Sequence, residues 1–103
     1  MADAIRVHCR PLEETRGPNR PCQWLAECEV DGRHFMARSR HGAVYELARV
    51  LVAAGVEDRP LGVTFAGLAG HMTWPSFAAA AQWMLIEGVA TPLRRKRWKK
   101  FRR

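Results

Sequence analysis

The sequence predicts an α+β domain: a small, mostly antiparallel sheet in β-β-β-α-β-α order, with two helices on one face in a two-layer arrangement. Three observations carry that expectation. Apolar and polar residues alternate on both sides of an Asp-Gly pair at 31–32. Apolar residues recur at helical spacing from Ala43 to Ala54, and again from about Trp74 to Glu87. Short alternating runs at Ile5–Cys9 and Leu61–Phe65 supply the remaining strands.

In chain order, Ile5-Arg6-Val7-His8-Cys9 alternates as a half-buried strand does. Pro11, Pro18 and Pro21 bracket a polar stretch from Leu12 to Arg20, which reads as a long loop. Trp24, Ala26, Cys28 and Val30 then alternate with Gln23, Leu25, Glu27 and Glu29, and Asp31-Gly32 is a favoured pair for a type I′ turn. Closing the hairpin there sets Cys28 opposite Phe35 and Ala26 opposite Ala37 on one face. The other face pairs Glu29 with His34, Glu27 with Met36 and Leu25 with Arg38. A slip of one residue would mix the two faces.

Ala43, Val44, Leu47, Leu51 and Ala54 share one arc of a helix, with Glu46 and Arg49 opposite, and Gly55 is a natural stop. Leu61–Phe65 reads as a short strand, and Gly67-Leu68-Ala69-Gly70 as a flexible link. The second helix is expected from about Trp74 to Glu87, with Thr73 as N-cap and Pro75 in the first turn. Trp74, Phe77, Ala78, Ala81, Met84 and Leu85 make its core face. Trp83 falls opposite, near Ala79, Ala80 and Ile86, so this helix is apolar nearly all round. A protein–protein or homodimer face at Ala79, Ala80, Trp83 and Ile86 is one expectation. Cover by the N-terminal strand or by the C-terminal tail is the equal alternative.

The hairpin-and-helix unit from Trp24 to Ala54 is similar in outline to the sheet-and-helix units of HicB-type antitoxins, over less than a third of the chain. The likeness is one of pattern and transfers no function or site residue.

The net charge of +7 is unevenly placed. Arg94, Arg95, Lys96, Arg97, Trp98, Lys99, Lys100, Phe101, Arg102 and Arg103 include eight cations and no acid. Residues 1–93 hold nine arginines against ten carboxylates, so the body is near −1. The chain thus divides into a single domain, 1–93, and a basic tail, 94–103. Phosphates would neutralise such a tail, and Trp98 and Phe101 suit stacking on exposed bases. The leading expectation is a non-catalytic protein that contacts nucleic acid, DNA or RNA, through the tail with low sequence specificity. An anionic membrane surface or an acidic protein comes second, and a tail that only solubilises the domain third. The alternative function is an interaction or inhibitor protein acting on a larger nucleic-acid-handling complex through the Ala79/Trp83 face.

Other chemistry is weakly signalled. Cys9, Cys22 and Cys28 have no metal-ligand spacing; Cys22 and Cys28 on one strand would lie about 20 Å apart. Glu27, Glu29 and His34 share one face of the hairpin and offer a carboxylate–imidazole pair, but without nucleophile, oxyanion hole or shelter. Gly67–Gly70 before a helix would resemble a phosphate loop only weakly. No catalytic residue, metal site or cofactor is therefore expected. The start Met1-Ala2-Asp3-Ala4 lacks the features of a secretory signal, and no apolar run approaches the roughly 20 residues of a spanning helix, so a cytoplasmic location is expected.

Overall fold

The computed structural model describes residues 3–67, 71–86 and 89–92. Seven strands and two α-helices follow in order: β1 (Ile5–Leu12), β2 (Gln23–Val30), β3 (Arg33–Ser39), α1 (Ala43–Ala53), β4 (Leu61–Phe65), β5 (His71–Trp74), α2 (Phe77–Ala80), β6 (Trp83–Ile86) and β7 (Val89–Pro92), with a 3-10 turn at Glu13–Thr15 between β1 and β2. The α+β class is as the sequence predicts. Five strands form a mixed sheet in the order β3-β2-β1-β4-β5, and β6 and β7 form a separate antiparallel pair.

The hairpin of β2 and β3 has the expected register, with Cys28 opposite Phe35, Ala26 opposite Ala37 and Glu27 opposite Met36. Asp31 and Gly32 both take positive φ, 52° and 80°, the signature of a type I′ turn. β1 pairs antiparallel with β2 on one side and parallel with β4 on the other. It runs three residues beyond the predicted strand, through Pro11. The Cys9 carbonyl accepts from Ala66 N–H at 2.8 Å, so the backbone of Cys9 faces β4. Pro11, two residues on, faces the same way but lies past the end of β4, where no partner needs its missing N–H.

The core lies between the inner face of the sheet and α1. Ile5, Val7, Cys9, Trp24, Ala26, Cys28, Leu61 and Val63 meet Ala43, Val44, Leu47, Ala48 and Leu51 of the helix. Ser39 Oγ, at the end of β3, accepts from the Gly42 N–H at 3.1 Å and so ties the strand to the helix start. At the other end Gly55 has φ 78°, Val56 N–H reaches the Leu51 carbonyl, and Gly55 N–H reaches the Val52 carbonyl. That pattern is a Schellman stop.

The second helix is corrected. It spans only Phe77–Ala80 and is capped by Ser76, whose side chain accepts from Ala79 N–H at 3.0 Å. Asp58 Oδ1 accepts from Phe77 N–H at 2.8 Å. Thr73 is not a cap: it lies in β5, opposite Gly62, and Trp74 lies opposite Leu61. Four consecutive alanines favour a helix locally, but β4 would otherwise leave an open edge, and pairing His71–Trp74 along it buries Trp74. Residues 83–86 pair with 89–92 across a two-residue connection, so Thr91 and Pro92 lie in a strand.

Packing on α1 sets the expected stability response. Leu47 is fully buried, and Leu47→Ala should lower unfolding stability by about 2–5 kcal/mol in urea titration. Val50, on the exposed side of the same helix, is the control. Val50→Ala should change stability by no more than about 0.5 kcal/mol.

Candidate functional site

Alternation along the sheet decides which side chains are available for chemistry. In β1, Ile5, Val7 and Cys9 are buried while Arg6, His8 and Arg10 are exposed. In β4, Leu61, Val63 and Phe65 turn inward, leaving Gly62 and Thr64 on the other side; in β5 that side carries His71 and Thr73. Strand register assembles these residues into two rows across three adjacent strands. Arg6, Gly62 and Thr73 form one, and His8, Thr64 and His71 form the other. His8 Nδ1 and Thr64 Oγ1 are 3.2 Å apart, which ties the second row together. A solvent-open groove of about 580 Å³ lies over the six positions. Its floor is Gly62, where an added Cβ would meet nothing within 4 Å.

The acids of this face lie on β2. Glu27 is opposite His8, and it is already engaged: His34 Nε2 lies 3.2 Å from Glu27 Oε1, and Arg10 Nε lies 3.9 Å from Glu27 Oε2. Glu29 is directly opposite His34 but exposed, and the imidazole contacts Glu27 instead. The Glu27, Glu29 and His34 trio foreseen from the sequence is therefore a Glu27–His34–Arg10 cluster. It lies on an open sheet surface, with the His34 side chain 47 % exposed, and nothing there excludes water from a reaction. Toward the far end, Leu25 is buried although it shares the open face. Arg10 and Arg38 flank it on the neighbouring strands.

The tail residues 94–103 lie outside the described residues. Ala79, Ala80, Trp83 and Ile86 do not share a helix face. Ala79 and Ala80 occupy the single turn of α2, with Ala80 fully buried and Ala79 packed partly against the core. Trp83 and Ile86 lie at the two ends of β6, which runs beside α1. The reason is the one that shortened the helix: residues 83–86 are taken into a strand pair. Gly67 has φ 81° and follows β4, but a strand and not a helix comes after the link, so no helix N-terminus faces it. The six groove residues were missed because they come from three strands distant in sequence. The one local hint was Gly62, a glycine inside a strand pattern.

The three cysteines are unbridged and buried. Among the described residues no three His, Cys, Asp or Glu side chains are grouped to hold a metal ion, and no helix is long and apolar enough to cross a membrane. No family model, curated protein or solved structure matches the chain.

Desolvation by burial pushes the Cys9 thiol from an ordinary 9.0 up to about 12, and the Cys28 thiol up to about 11. Well below pH 9.0 these thiols stay protonated in both folded and unfolded chains. Above it the unfolded chain ionises first, so unfolding releases protons and stability falls as pH rises. The urea midpoint should therefore drop between pH 9 and pH 11 more steeply in the wild type than in a Cys9→Ala/Cys28→Ala variant. Parallel curves would show that these thiols do not drive the alkaline loss.

Proposed function

We propose that this is a small, non-catalytic nucleic-acid-binding protein that holds the phosphate backbone through residues 94–103, with little sequence specificity. The observation that carries the reading is the segregation of charge. Eight cations in ten residues follow a body that holds nine arginines against ten carboxylates. A run of that density attracts a polyanion and gains by releasing its counterions. Trp98 and Phe101 within the run favour single strands, whose bases are free to stack. The open sheet face supports the same reading from the body. Arg6, Arg10 and Arg38 are exposed there with His8, His34 and His71, against two acids, Glu27 and Glu29. Among the described residues this face presents no Phe, Tyr or Trp, so contacts from the sheet would be made chiefly to phosphate and sugar.

The test is salt dependence. If the tail engages about 4–6 phosphates, log K on duplex DNA should fall with log[salt] at a slope near −4 to −5. Full-length protein in which the eight basic residues of 94–103 are changed to glutamine should lose most of that affinity and most of that slope. Binding that survives the change, with an unaltered slope, would move the site away from the tail. A protein that co-purifies in fixed ratio after nuclease treatment would favour the interaction or inhibitor reading instead.

A further inference from the structure

We propose that the groove over Gly62 is a phosphate-binding site on the domain itself, separate from the tail. Its recognition chemistry is complete on the page. Arg6 stands on one side of the glycine and Thr73 on the other, one strand away in each direction. His8, Thr64 and His71 form the parallel row two residues further along the strands. Neighbouring strands are about 4.8 Å apart and the rows about 7 Å apart. One tetrahedral anion seated over Gly62 is therefore within reach of donors from both rows. A guanidinium, the Thr73 hydroxyl and two imidazoles offer N–H and O–H groups from several directions, as a phosphate's oxygens require, while the Thr64 hydroxyl already donates to the Val7 carbonyl at 3.5 Å.

Three features distinguish this site from an ordinary solvated face. First, none of its six positions is acidic, and Glu27, which lies opposite His8, is already bound by His34 and Arg10. Second, Arg6 has no ion-pair or hydrogen-bond partner among the described residues, while Arg10, Arg16, Arg49 and Arg59 each lie in an ion pair. Arg6 borders Asp3, Glu29 and Asp31 at the adjoining end of the sheet, yet pairs with none of them. Third, the absence of a side chain at Gly62 leaves the space in which the anion would sit, at a strand position where glycine otherwise costs stability. A volume of about 580 Å³ holds a phosphate together with an attached sugar. The ligand is thus a phosphate group, either free or in a nucleic-acid backbone. Only the second source rests on the function proposed above.

Gly62→Val is the decisive variant. It adds bulk to the groove, its Cβ meets no atom within 4 Å, and valine suits a strand, so the fold should be kept. Full-length protein is titrated with inorganic phosphate and, separately, with a short oligothymidylate, while backbone amide shifts are followed by NMR. Inorganic phosphate should move the Arg6, Gly62, Thr64 and Thr73 amides. Gly62→Val and Arg6→Gln should each weaken phosphate binding roughly tenfold or more, as loss of a charge-assisted contact does. The tail-neutralised protein should bind inorganic phosphate as the wild type does. If Gly62→Val binds phosphate within twofold of wild type, or if shifts appear only outside these strands, the site is refuted. Binding of oligothymidylate weakened by Gly62→Val would assign the phosphate to a nucleic-acid strand. Phosphate binding at the groove with no binding of oligothymidylate by any form would uphold the site with free phosphate as ligand, and would overturn the nucleic-acid function alone.

Discussion

The architecture depends on one strand satisfying two neighbours at once. β1 is paired along both edges, antiparallel to β2 and parallel to β4. Its alternation therefore has to serve both pairings with a single choice of face. Ile5, Val7 and Cys9 go inward to meet α1, and Arg6, His8 and Arg10 are thereby fixed outward. A shift of one residue in β1 would bury two arginines and a histidine, at a cost no core of this size can offset. The positions of the exposed cations are thus a consequence of packing, not an independent surface choice. β4 inherits the same constraint: Leu61 and Val63 follow Ile5 and Val7 inward, and Gly62 and Thr64 are left beside Arg6 and His8.

That constraint also sorts charge across the open face. Both of its acids fall on β2, and Glu27 is held between His34 and Arg10. The strands beyond, β1, β4 and β5, contribute arginine, histidine and threonine to this face and no carboxylate. A body that is near −1 in total can therefore still present a locally cationic surface. Net charge alone hides this, because charge acts over about 8–10 Å in physiological salt, and Asp3, Glu29 and Asp31 bear on the groove only at its Arg6 end.

What the sequence reveals and conceals follows from the range of the interactions. The β2–β3 hairpin is legible in full, since Asp31-Gly32 and the flanking alternation are local and agree with one another. Helix α1 and its stop at Gly55 are legible for the same reason. The second helix is not. Ala78 to Ala81 and the apolar spacing around them favour a helix, but pairing with β4 takes Trp74, and pairing with Val89–Pro92 takes Trp83. Tertiary partners outweigh a few tenths of a kcal/mol per residue of local propensity. A sequence reader had one counter-signal, the apolar run Trp83-Met84-Leu85-Ile86 before Glu87-Gly88 and a second apolar start at Val89, which fits a short hairpin. The groove was illegible apart from Gly62, a glycine inside a strand pattern. Arg6, Gly62 and Thr73 meet only because β1 and β4 pair in parallel, and no local pattern specifies a parallel pairing across more than fifty residues.

A flat, cationic sheet face and a dense cationic tail would do different work on a polyanion. Eight charges on a short segment supply attraction over many phosphates but fix no register, because such a chain contacts backbone in many equivalent ways. A groove that holds a single phosphate supplies little affinity by itself, yet it has a defined direction, set by the strands that carry Arg6 and Thr73. With both on one chain, engagement by the tail would raise the effective concentration of neighbouring phosphates at the sheet into the millimolar range. A weak site then fills, and its geometry would orient the strand across β1, β4 and β5. Base stacking would then fall chiefly to Trp98 and Phe101 in the tail, and the sheet would fix position through phosphate.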